Sequence, residues 1–286
     1  MRDRNHLSEG QLHALVSLLD DRDEGIVRTC SRRLEDEGPR VLDVLERVPP
    51  DRKVLRERAA RVALGIRAAE EERSLRRWLQ GDGDLDLETG ALWLARVREP
   101  GADVSATRDR LDQLAVDLDA DIPDPSEPDD IADALVRTLA EVEGLNGNRS
   151  DYYDPENSFL DLVLERSVGI PISLSVVYVL VGRRLGLPVH GVGMPGHFIV
   201  QCGEADPIYL DPFDGGRRLT REACLQFLAR EGFGASESFL SVPSDRRILA
   251  RMIGNLVHSY RRLDEPELEG RYGRLFEAAS GEPPPA

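Results

Sequence analysis

The sequence predicts an α+β protein in which helices flank a small antiparallel sheet. Apolar residues recur at intervals of three and four over long stretches at both ends of the chain, which is typical of amphipathic helices. Between these stretches lie three short segments that are rich in branched residues and separated by Gly and Pro turns, as in antiparallel pairing: Val189 to Val192, His197 to Cys202 and Ile208 to Leu210. With 286 residues, the chain is long enough to bury a core without disulfides.

Charge balance and cysteine content exclude several classes of protein. The chain has 53 acidic and 37 basic residues and a net charge of −16 at pH 7. Such a surface repels phosphate backbones and anionic lipid headgroups, so neither nucleic acid nor a membrane is expected as a partner. The 3 cysteines are too few and too scattered for a disulfide framework, which favours a reducing compartment. The longest nearly apolar run, Ile170 to Gly182, is too short to span a bilayer, and the N-terminus lacks an apolar signal region, so we expect a cytoplasmic protein.

Residues 1–80 are expected to form a helical cap. Apolar residues from Leu7 to about Leu79 have helical spacing, interrupted by Gly and Pro at 38–39 and 49–50. The stretch LVSLLDDRDEGIVRTCSRRLEDEGPRVLDVL resembles a HEAT-type helical hairpin, which stacks on its neighbours because it cannot bury its apolar face alone. This unit fits either a cap on the next domain, which we favour, or a binding array. The expected boundary is Gly81-Asp82-Gly83.

Helices are expected to continue through the middle of the chain. The segments Asp86 to Val97 and Ser105 to Leu118 predict two helices, with Ser105 as the N-cap of the second. An acidic, Pro-containing loop is expected at 119–130, and another helix from Ile131 to Val142.

Two more helices precede the predicted strands. Ser158, with Asp161 three residues later, predicts a variant capping box at the start of a helix that runs to Arg166. The second helix is predicted from Pro171 to Leu185. Proline suits its first turn, where the missing N–H would have no helical partner in any case. This helix is apolar almost all round, so we expect it to be buried.

Helices are expected again after the strands, at Thr220 to Arg230, Ser244 to Leu263 and about Glu267 to Ala279. We interpret residues 244–286 as a C-terminal helical pair with a disordered tail from Gly281. The segment from Ile248 to Ala279 resembles one helical pair of the tetratricopeptide type. A single pair does not make a binding array.

The order of the central elements points to one kind of site. A buried helix opens at a Gly-rich turn, a strand then begins at His197, and a later strand ends at Asp211. Papain-like thiol enzymes have this order: a cysteine at the helix N-terminus is activated by the helix dipole and the histidine, while a carboxylate or amide orients the imidazole. His197 and Asp211 occupy the second and third places of that arrangement.

Four motifs in this order resemble the SirB-type branch of the transglutaminase-like superfamily: NRSDYYDPENS, ERSVGIPISLS, RLGLPVHGVGMPGHFIV and LDPFDGG. The resemblance covers roughly residues 84–240. It implies a papain/transglutaminase-like core, which we assign to residues 81–243, and a regulatory role.

One departure decides the predicted function. Active transglutaminase-like enzymes place a cysteine in a G-x-C element, and the resemblance puts Pro171 at that position. Proline has no nucleophile, so the covalent step cannot occur there. We therefore expect a noncatalytic module whose cleft around His197 and Asp211 binds a peptide or protein segment.

The alternative is a hydrolase or acyl-transferase of amide or ester bonds that uses Ser173 or a water activated by His197. Ser173 would serve only if it lies in the first turn of the helix, within hydrogen-bond reach of the imidazole; otherwise its hydroxyl satisfies backbone groups. Cys202 lies five positions beyond His197, so a regular strand points the two to opposite faces. Cys224 and Cys30 are expected to be core residues elsewhere.

Five further residues are candidate binding residues: Tyr152, Tyr153, Asn157, Glu165 and Arg166. The two tyrosines either line a peptide groove or pack over a helix start. Glu165 and Arg166 either pair with each other to anchor the Gly169 loop or contact a ligand carboxylate. No cluster of ligating side chains has metal-binding spacing, and no P-loop or dinucleotide fingerprint occurs, so we expect no metal and no cofactor.

Overall fold

The computed structural model describes residues 6–81 and 83–284. It confirms the α+β class: the described residues form helices and two small sheets, one of two strands and one of four. The chain divides into two compact units, one comprising residues 1–74 and 96–101 and the other residues 75–95 and 102–286. Asp82, in the middle of the predicted boundary, lies outside the described residues.

The first unit is helical. It contains α1 (Glu9–Leu18), α2 (Glu24–Glu37), α3 (Leu42–Glu46) and most of α4 (Lys53–Leu79). Ser8 caps α1 in a capping box with Gln11, and Asp23 caps α2 by accepting from Gly25 N. The apolar residues at helical spacing form its core, which includes Leu12, Val16, Leu34 and Ile66.

The second unit begins with the end of α4 and part of α5 (Leu87–Arg98), followed by α6 (Val104–Asp121) and α7 (Pro128–Leu135). A π-helical segment, Val136–Val142, continues α7. The prediction of Ser105 as N-cap was wrong. Asp103 is the cap, because its carboxylate accepts from the N–H groups of both Ser105 and Ala106.

The capping box predicted at Ser158 does not form. Residues Pro155–Ser158 make a turn of 3-10 helix that Asp154 caps, so the chain enters α8 (Leu160–Arg166) from that turn, with Phe159 at the N-cap. Ser158 Oγ is buried and has no hydrogen-bond partner among the described residues. The backbone conformation before α8 therefore leaves its hydroxyl away from the helix N–H groups.

The buried helix is α9 (Pro171–Arg184), with Pro171 at its start as predicted. Every residue from Pro171 to Gly182 is buried. A two-stranded parallel sheet precedes it, formed by β1 (Asn146–Gly147) and β2 (Val168–Gly169).

The main sheet is an antiparallel meander of β3 (Val189–Met194), β4 (His197–Cys202), β5 (Ile208–Asp211) and β6 (Arg217–Leu219). Sequence analysis did not predict β6, which has only three residues, two of them arginine. Side chains alternate between the two faces of a strand. On one face Ile199 packs with residues from the helix that follows the sheet; on the other, Val189 lies close to Gly182 of α9.

Three helices complete the chain: α10 (Arg221–Arg230), α11 (Asp245–Arg262) and α12 (Pro266–Ser280). The stacked rings of Tyr260 and Tyr272, with centroids 5.2 Å apart, join α11 to α12. Of the tail that was predicted to be disordered from Gly281, residues 285–286 lie outside the described residues. The helix α12 ends just before this tail, at Ser280, and Gly281 is its left-handed C-cap. Within the described ranges, no helix is both long enough and apolar enough to cross a bilayer.

Candidate functional site

A tight turn places His197 at the start of β4. Met194 pairs with His197 across the β3–β4 hairpin, and Pro195 and Gly196 form the turn between them. Gly196 has φ of +74°, and a turn with Pro second and Gly third requires a positive φ at the Gly. The local sequence thus fixes the hairpin register, and the register fixes the face on which His197 lies.

Asp211 ends β5 and holds the imidazole. The His197 Nε2 and Asp211 Oδ2 atoms are 2.9 Å apart. The other carboxylate oxygen, Oδ1, accepts from Phe213 N at 3.1 Å. Both oxygens are thereby engaged, and the Asp211 side chain is only 7% exposed. This arrangement fixes the ring orientation of His197, whose Nδ1 atom has no hydrogen-bond partner in the described part of the chain.

His197 and Asp211 open onto a cleft of about 500 Å³, which we call the His197 cleft. Its floor is apolar and aromatic, while its rim carries charges. The lining comprises Arg149, Met194, Gly196, His197, Asp211, Phe213, Asp214, Arg217, Leu219, Ala223, Cys224, Gln226, Phe227 and Arg230. A concave site with an apolar floor and a few convergent polar groups is the usual form of a ligand-binding site.

Aromatic rings and ion pairs shape this cleft. The ring centroids of Phe213 and Phe227 lie 6.5 and 5.7 Å from that of His197. Asp214 accepts from Arg149 at 2.7 Å and pairs with Arg217 at 3.0 Å. These contacts hold the rim between β6 and the segment that follows β1.

The structure does not bring Ser173 to His197. Ser173 is fully buried; its Oγ donates to Asn157 O at 2.5 Å and accepts from Ile170 N at 3.1 Å. A Cβ on Gly169 would lie 2.7 Å from the same Oγ atom, which shows how tightly this hydroxyl is enclosed. Since the hydroxyl is committed to backbone groups, the geometry does not favour Ser173 as a nucleophile.

Pro171 is buried and does not line the His197 cleft, and no other described residue of α9 lines it. Ser175, one turn after Pro171, contacts Phe198 O at 3.4 Å, so α9 packs against the face of β4 that Phe198 shares. His197 lies on the other face. The position that would carry the thiol therefore provides no nucleophile and no opening to the cleft.

The cysteines differ in their relation to the cleft. Cys202 is buried, and burial raises its pKa to about 12. Cys224 is a buried core residue on a helix, as predicted, but it does not lie elsewhere: its position on α10 puts it in the cleft lining beside Phe227. Burial, together with the nearby charge of Asp211, raises the pKa of Cys224 to about 11. Its thiol is therefore protonated at neutral pH, and it makes no hydrogen bond to His197 in the described structure.

The two tyrosines and Asn157 lie in a neighbouring loop outside the cleft lining. The ring of Tyr152 meets that of Phe213 at 5.8 Å, which places Phe213 between Tyr152 and His197. Tyr153 contacts His258 of α11 and carries the guanidinium of Arg262 at 4.1 Å from its ring. Both tyrosines are 37% exposed.

Asn157 is completely buried and holds this loop. Its side-chain Nδ2 donates to Asp151 O at 2.7 Å, and its Oδ1 accepts from Asn148 Nδ2 at 3.0 Å. A buried amide with both ends satisfied in this way stabilises the backbone around it. Asn157 thus orders the segment that carries the tyrosines and presents no group to a ligand.

The predicted ion pair between Glu165 and Arg166 does not form. Arg166 instead pairs with Asp154 at 2.9 Å and Glu156 at 2.7 Å, the two carboxylates of the turn before α8, while Glu165 is exposed. Neighbouring residues on a helix point about 100° apart, so they cannot face one partner together. Arg166 anchors the 154–156 turn.

Phe213 and Phe227, which line the cleft beside His197, were not predicted as site residues from the sequence. Phe213 lies inside the motif LDPFDGG, so it was available as a candidate. Phe227 and Cys224, three residues apart, lie on one face of the amphipathic helix α10, but the sequence alone does not say which element that face meets. No group of three or more ligating side chains within the described ranges could hold a metal ion.

Comparisons with known proteins agree with this architecture. The family model described as the transglutaminase-like superfamily matches residues 105–254. A UPF0162 protein of Xylella fastidiosa strain Temecula1 is 37% identical over 191 residues, which is 64% of this chain and 68% of that protein. The UPF0162 protein of Pseudomonas aeruginosa is 32% identical over 179 residues, covering 62% of this chain and 65% of that protein.

The mouse protein F-box only protein 21 is 35% identical over 136 residues, covering 44% of this chain and only 21% of that protein. No solved structure gives a significant match. The chain thus spans about two thirds of the length of these bacterial relatives and about a fifth of the mouse protein. With a match over residues 105–254, which include α9, the whole main sheet and the His197–Asp211 pair, the chain belongs to the transglutaminase-like superfamily.

Proposed function

We propose that this chain is a noncatalytic member of its superfamily, of the SirB type, whose His197 cleft binds a peptide or protein segment in a regulatory role. The observation that carries the proposal is the His197–Asp211 pair, which is fully formed at 2.9 Å and opens onto a cleft whose one described thiol, that of Cys224, makes no hydrogen bond to His197. An oriented imidazole can still bind a backbone carbonyl or amide even where it has nothing to activate.

The composition of the cleft supports a peptide ligand. Phe213, Phe227 and Leu219 offer an apolar floor for a side chain, while Arg230 is exposed at the rim. A cavity of about 500 Å³ accommodates a side chain with its flanking backbone but not a folded domain. An extended segment with one apolar anchor and an acidic neighbour fits both features.

The pattern of relatives supports a module. The matched part of this chain, 191 residues long, covers 68% of the Xylella fastidiosa relative, whereas a match of 136 residues covers only 21% of F-box only protein 21. We further propose the division predicted from the sequence: a HEAT-like cap at 1–80, the core at 81–243 and a tetratricopeptide-like pair at 244–286. The two helical flanks would add interaction surface.

The second candidate, hydrolysis or acyl transfer, has less support. Its serine version requires a free Ser173 hydroxyl, and that hydroxyl is buried and bonded to backbone. Its water version requires His197 to activate a water in the cleft through Nδ1. Mass measurement of a peptide bound in the cleft, with and without His197, separates this version from binding alone.

Selection from a displayed random peptide library, followed by calorimetry with the selected peptide, tests the proposed function. We expect Phe227→Ala and His197→Ala each to raise the dissociation constant of the peptide at least about tenfold. Phe233→Ala is the matched control, because Phe233 is 49% exposed and lies outside the cleft lining. Selected peptides that bind both cleft variants as tightly as they bind the unaltered chain would refute the proposal.

A further inference from the structure

A second, larger cavity of about 730 Å³ lies on the opposite side of the β3–β4 hairpin from the His197 cleft. We call it the arginine cavity. It is bounded by the hairpin, α11, α12 and the residues after α12. Its lining combines four arginines with apolar side chains, among them Phe198, Ala250, Val257 and Phe276. The chain has a net charge of −16, so this group of cations is opposite in sign to the charge of the chain as a whole.

Arg251 is a partly buried cation of this lining. Its Nη2 donates to Met194 O and His197 O, each at 2.7 Å, and its guanidinium lies 5.3 Å from the centroid of the Phe198 ring. Burial lowers its pKa from the ordinary value. Carbonyl dipoles and a ring only partly offset the cost of burying a full charge, which an anion would offset better.

Arg247 lies one helical turn before Arg251 on α11 and faces the same cavity. Arg247 is exposed, and its side chain makes no ion pair or hydrogen bond within the described residues. Asn255 continues the row one turn beyond Arg251, also lining the cavity. The guanidinium groups of Arg247 and Arg251 and the amide of Asn255 thus lie along one face of α11, and each can donate to an oxyanion.

Little in the cavity neutralises these charges. Arg246 donates to the carbonyls of Leu79 and Gly81, and Arg261 pairs with Glu269. The one carboxylate in the described lining is that of Glu282, and no ion pair joins it to Arg246, Arg247 or Arg251. By contrast, the rim arginines Arg149 and Arg217 of the His197 cleft are paired with Asp214.

From these contacts we infer that the arginine cavity binds a small organic oxyanion, a carboxylate or phosphate attached to an apolar group. Arg247, Arg251 and Asn255 hold the oxyanion, while Phe198, Val257 and Phe276 enclose the apolar part. The site is separate from the His197 cleft and holds whether or not that cleft binds a peptide. Because Arg251 also donates to His197 O, the Arg251 side chain contacts both the ligand and the strand that carries His197.

Calorimetry with three probes of similar shape tests this inference: phenylacetate, phenyl phosphate and the uncharged phenylacetamide. We expect saturable binding of at least one anion and binding of phenylacetamide that is at least about tenfold weaker. The two anions distinguish a carboxylate ligand from a phosphate ligand. Arg247→Gln should weaken binding of the anion at least about tenfold, because it removes a charged donor. The fold should be unaffected, since the Arg247 side chain makes no ion pair or hydrogen bond within the described residues.

Two controls keep the test specific. Arg61→Gln removes an exposed arginine outside the cavity lining and should leave binding unchanged. Arg230→Gln alters the His197 cleft and should also leave it unchanged. The inference is overturned if neither anion binds saturably or if phenylacetamide binds as tightly as phenylacetate. It is also overturned if Arg230→Gln weakens binding of the anion and Arg247→Gln does not.

Discussion

The imidazole of His197 and the carboxylate of Asp211 form a 2.9 Å hydrogen bond, and the same carboxylate accepts from the backbone N–H of Phe213. One side chain thus orients both the histidine and the aromatic residue that borders the cleft. The pair connects β4 to β5 and to the turn after β5. It is also the polar centre of the cleft.

Removal of the Asp211 carboxylate should lower the stability of the fold. Asp211→Ala leaves the Phe213 N–H and the imidazole without their acceptor, so we expect the free energy of unfolding to fall by about 1–3 kcal/mol. Urea titration monitored by circular dichroism measures it. Asp206→Ala, at an exposed position of the β4–β5 turn, should change it by less than about 0.5 kcal/mol. Equal stability of the two variants would contradict a structural role for Asp211.

Ser173 is expected to contribute to stability. Ser173→Ala removes the donor to Asn157 O and the acceptor of Ile170 N, so it should lower the free energy of unfolding by about 1–3 kcal/mol. Ser175→Ala should cost less, because the one hydrogen bond of Ser175 is long, at 3.4 Å. A stable Ser173→Ala variant that had lost a hydrolytic activity of the unaltered chain would show that Ser173 is catalytic after all.

The thiol of Cys224 should react slowly at neutral pH. Its pKa of about 11 lies above the ordinary 9.0, so the reactive thiolate is about 100-fold scarcer at pH 8 than in an ordinary cysteine. Because the raised pKa keeps the proton on at low pH, alkylation by iodoacetamide should accelerate as the pH rises towards 11. Peptide mass spectrometry at several pH values follows it. Rapid alkylation at pH 7 that disappears in His197→Ala would instead indicate an activated thiol.

Arg166 and Glu165 should differ in their effect on stability. Arg166→Gln breaks the pairs with Asp154 and Glu156, whose partly exposed geometry makes them worth about 0.5–1 kcal/mol together. Glu165→Gln should have almost no effect, since its side chain is exposed and not part of the pair. Urea titrations at low and high salt provide the measurement, and the Arg166 effect should shrink with salt. A larger effect of Glu165→Gln would contradict the observed pairing.

Local patterns in the sequence predicted the elements around the site well. The all-round apolar character of residues 171–182 predicts burial, and the structure has every one of them buried. The Pro195–Gly196 turn fixes the hairpin register, so the position of His197 follows from neighbouring residues alone. Such features depend on short-range geometry, which a sequence records directly.

Features that depend on long-range packing were not predictable in the same way. The sequence cannot tell which helix face meets which sheet face, so Cys224 and Phe227 of α10 were not assigned to the cleft. The choice of Arg166 for Asp154 and Glu156, rather than for its sequence neighbour, also depends on how the 154–156 turn folds back. Ser105 was predicted as the cap of α6 from its residue type, and only the backbone path selects Asp103 instead.

The fate of a bound peptide shows whether the His197 cleft only binds its ligand or also reacts with it. A peptide selected for the His197 cleft is incubated with the chain and with His197→Ala, and intact masses of peptide and protein are recorded over time. We expect the peptide to bind the unaltered chain, its mass to stay constant and the protein to gain no adduct. Hydrolysis of the peptide, or an acyl adduct on the protein, that requires His197 would contradict this expectation and establish an enzyme.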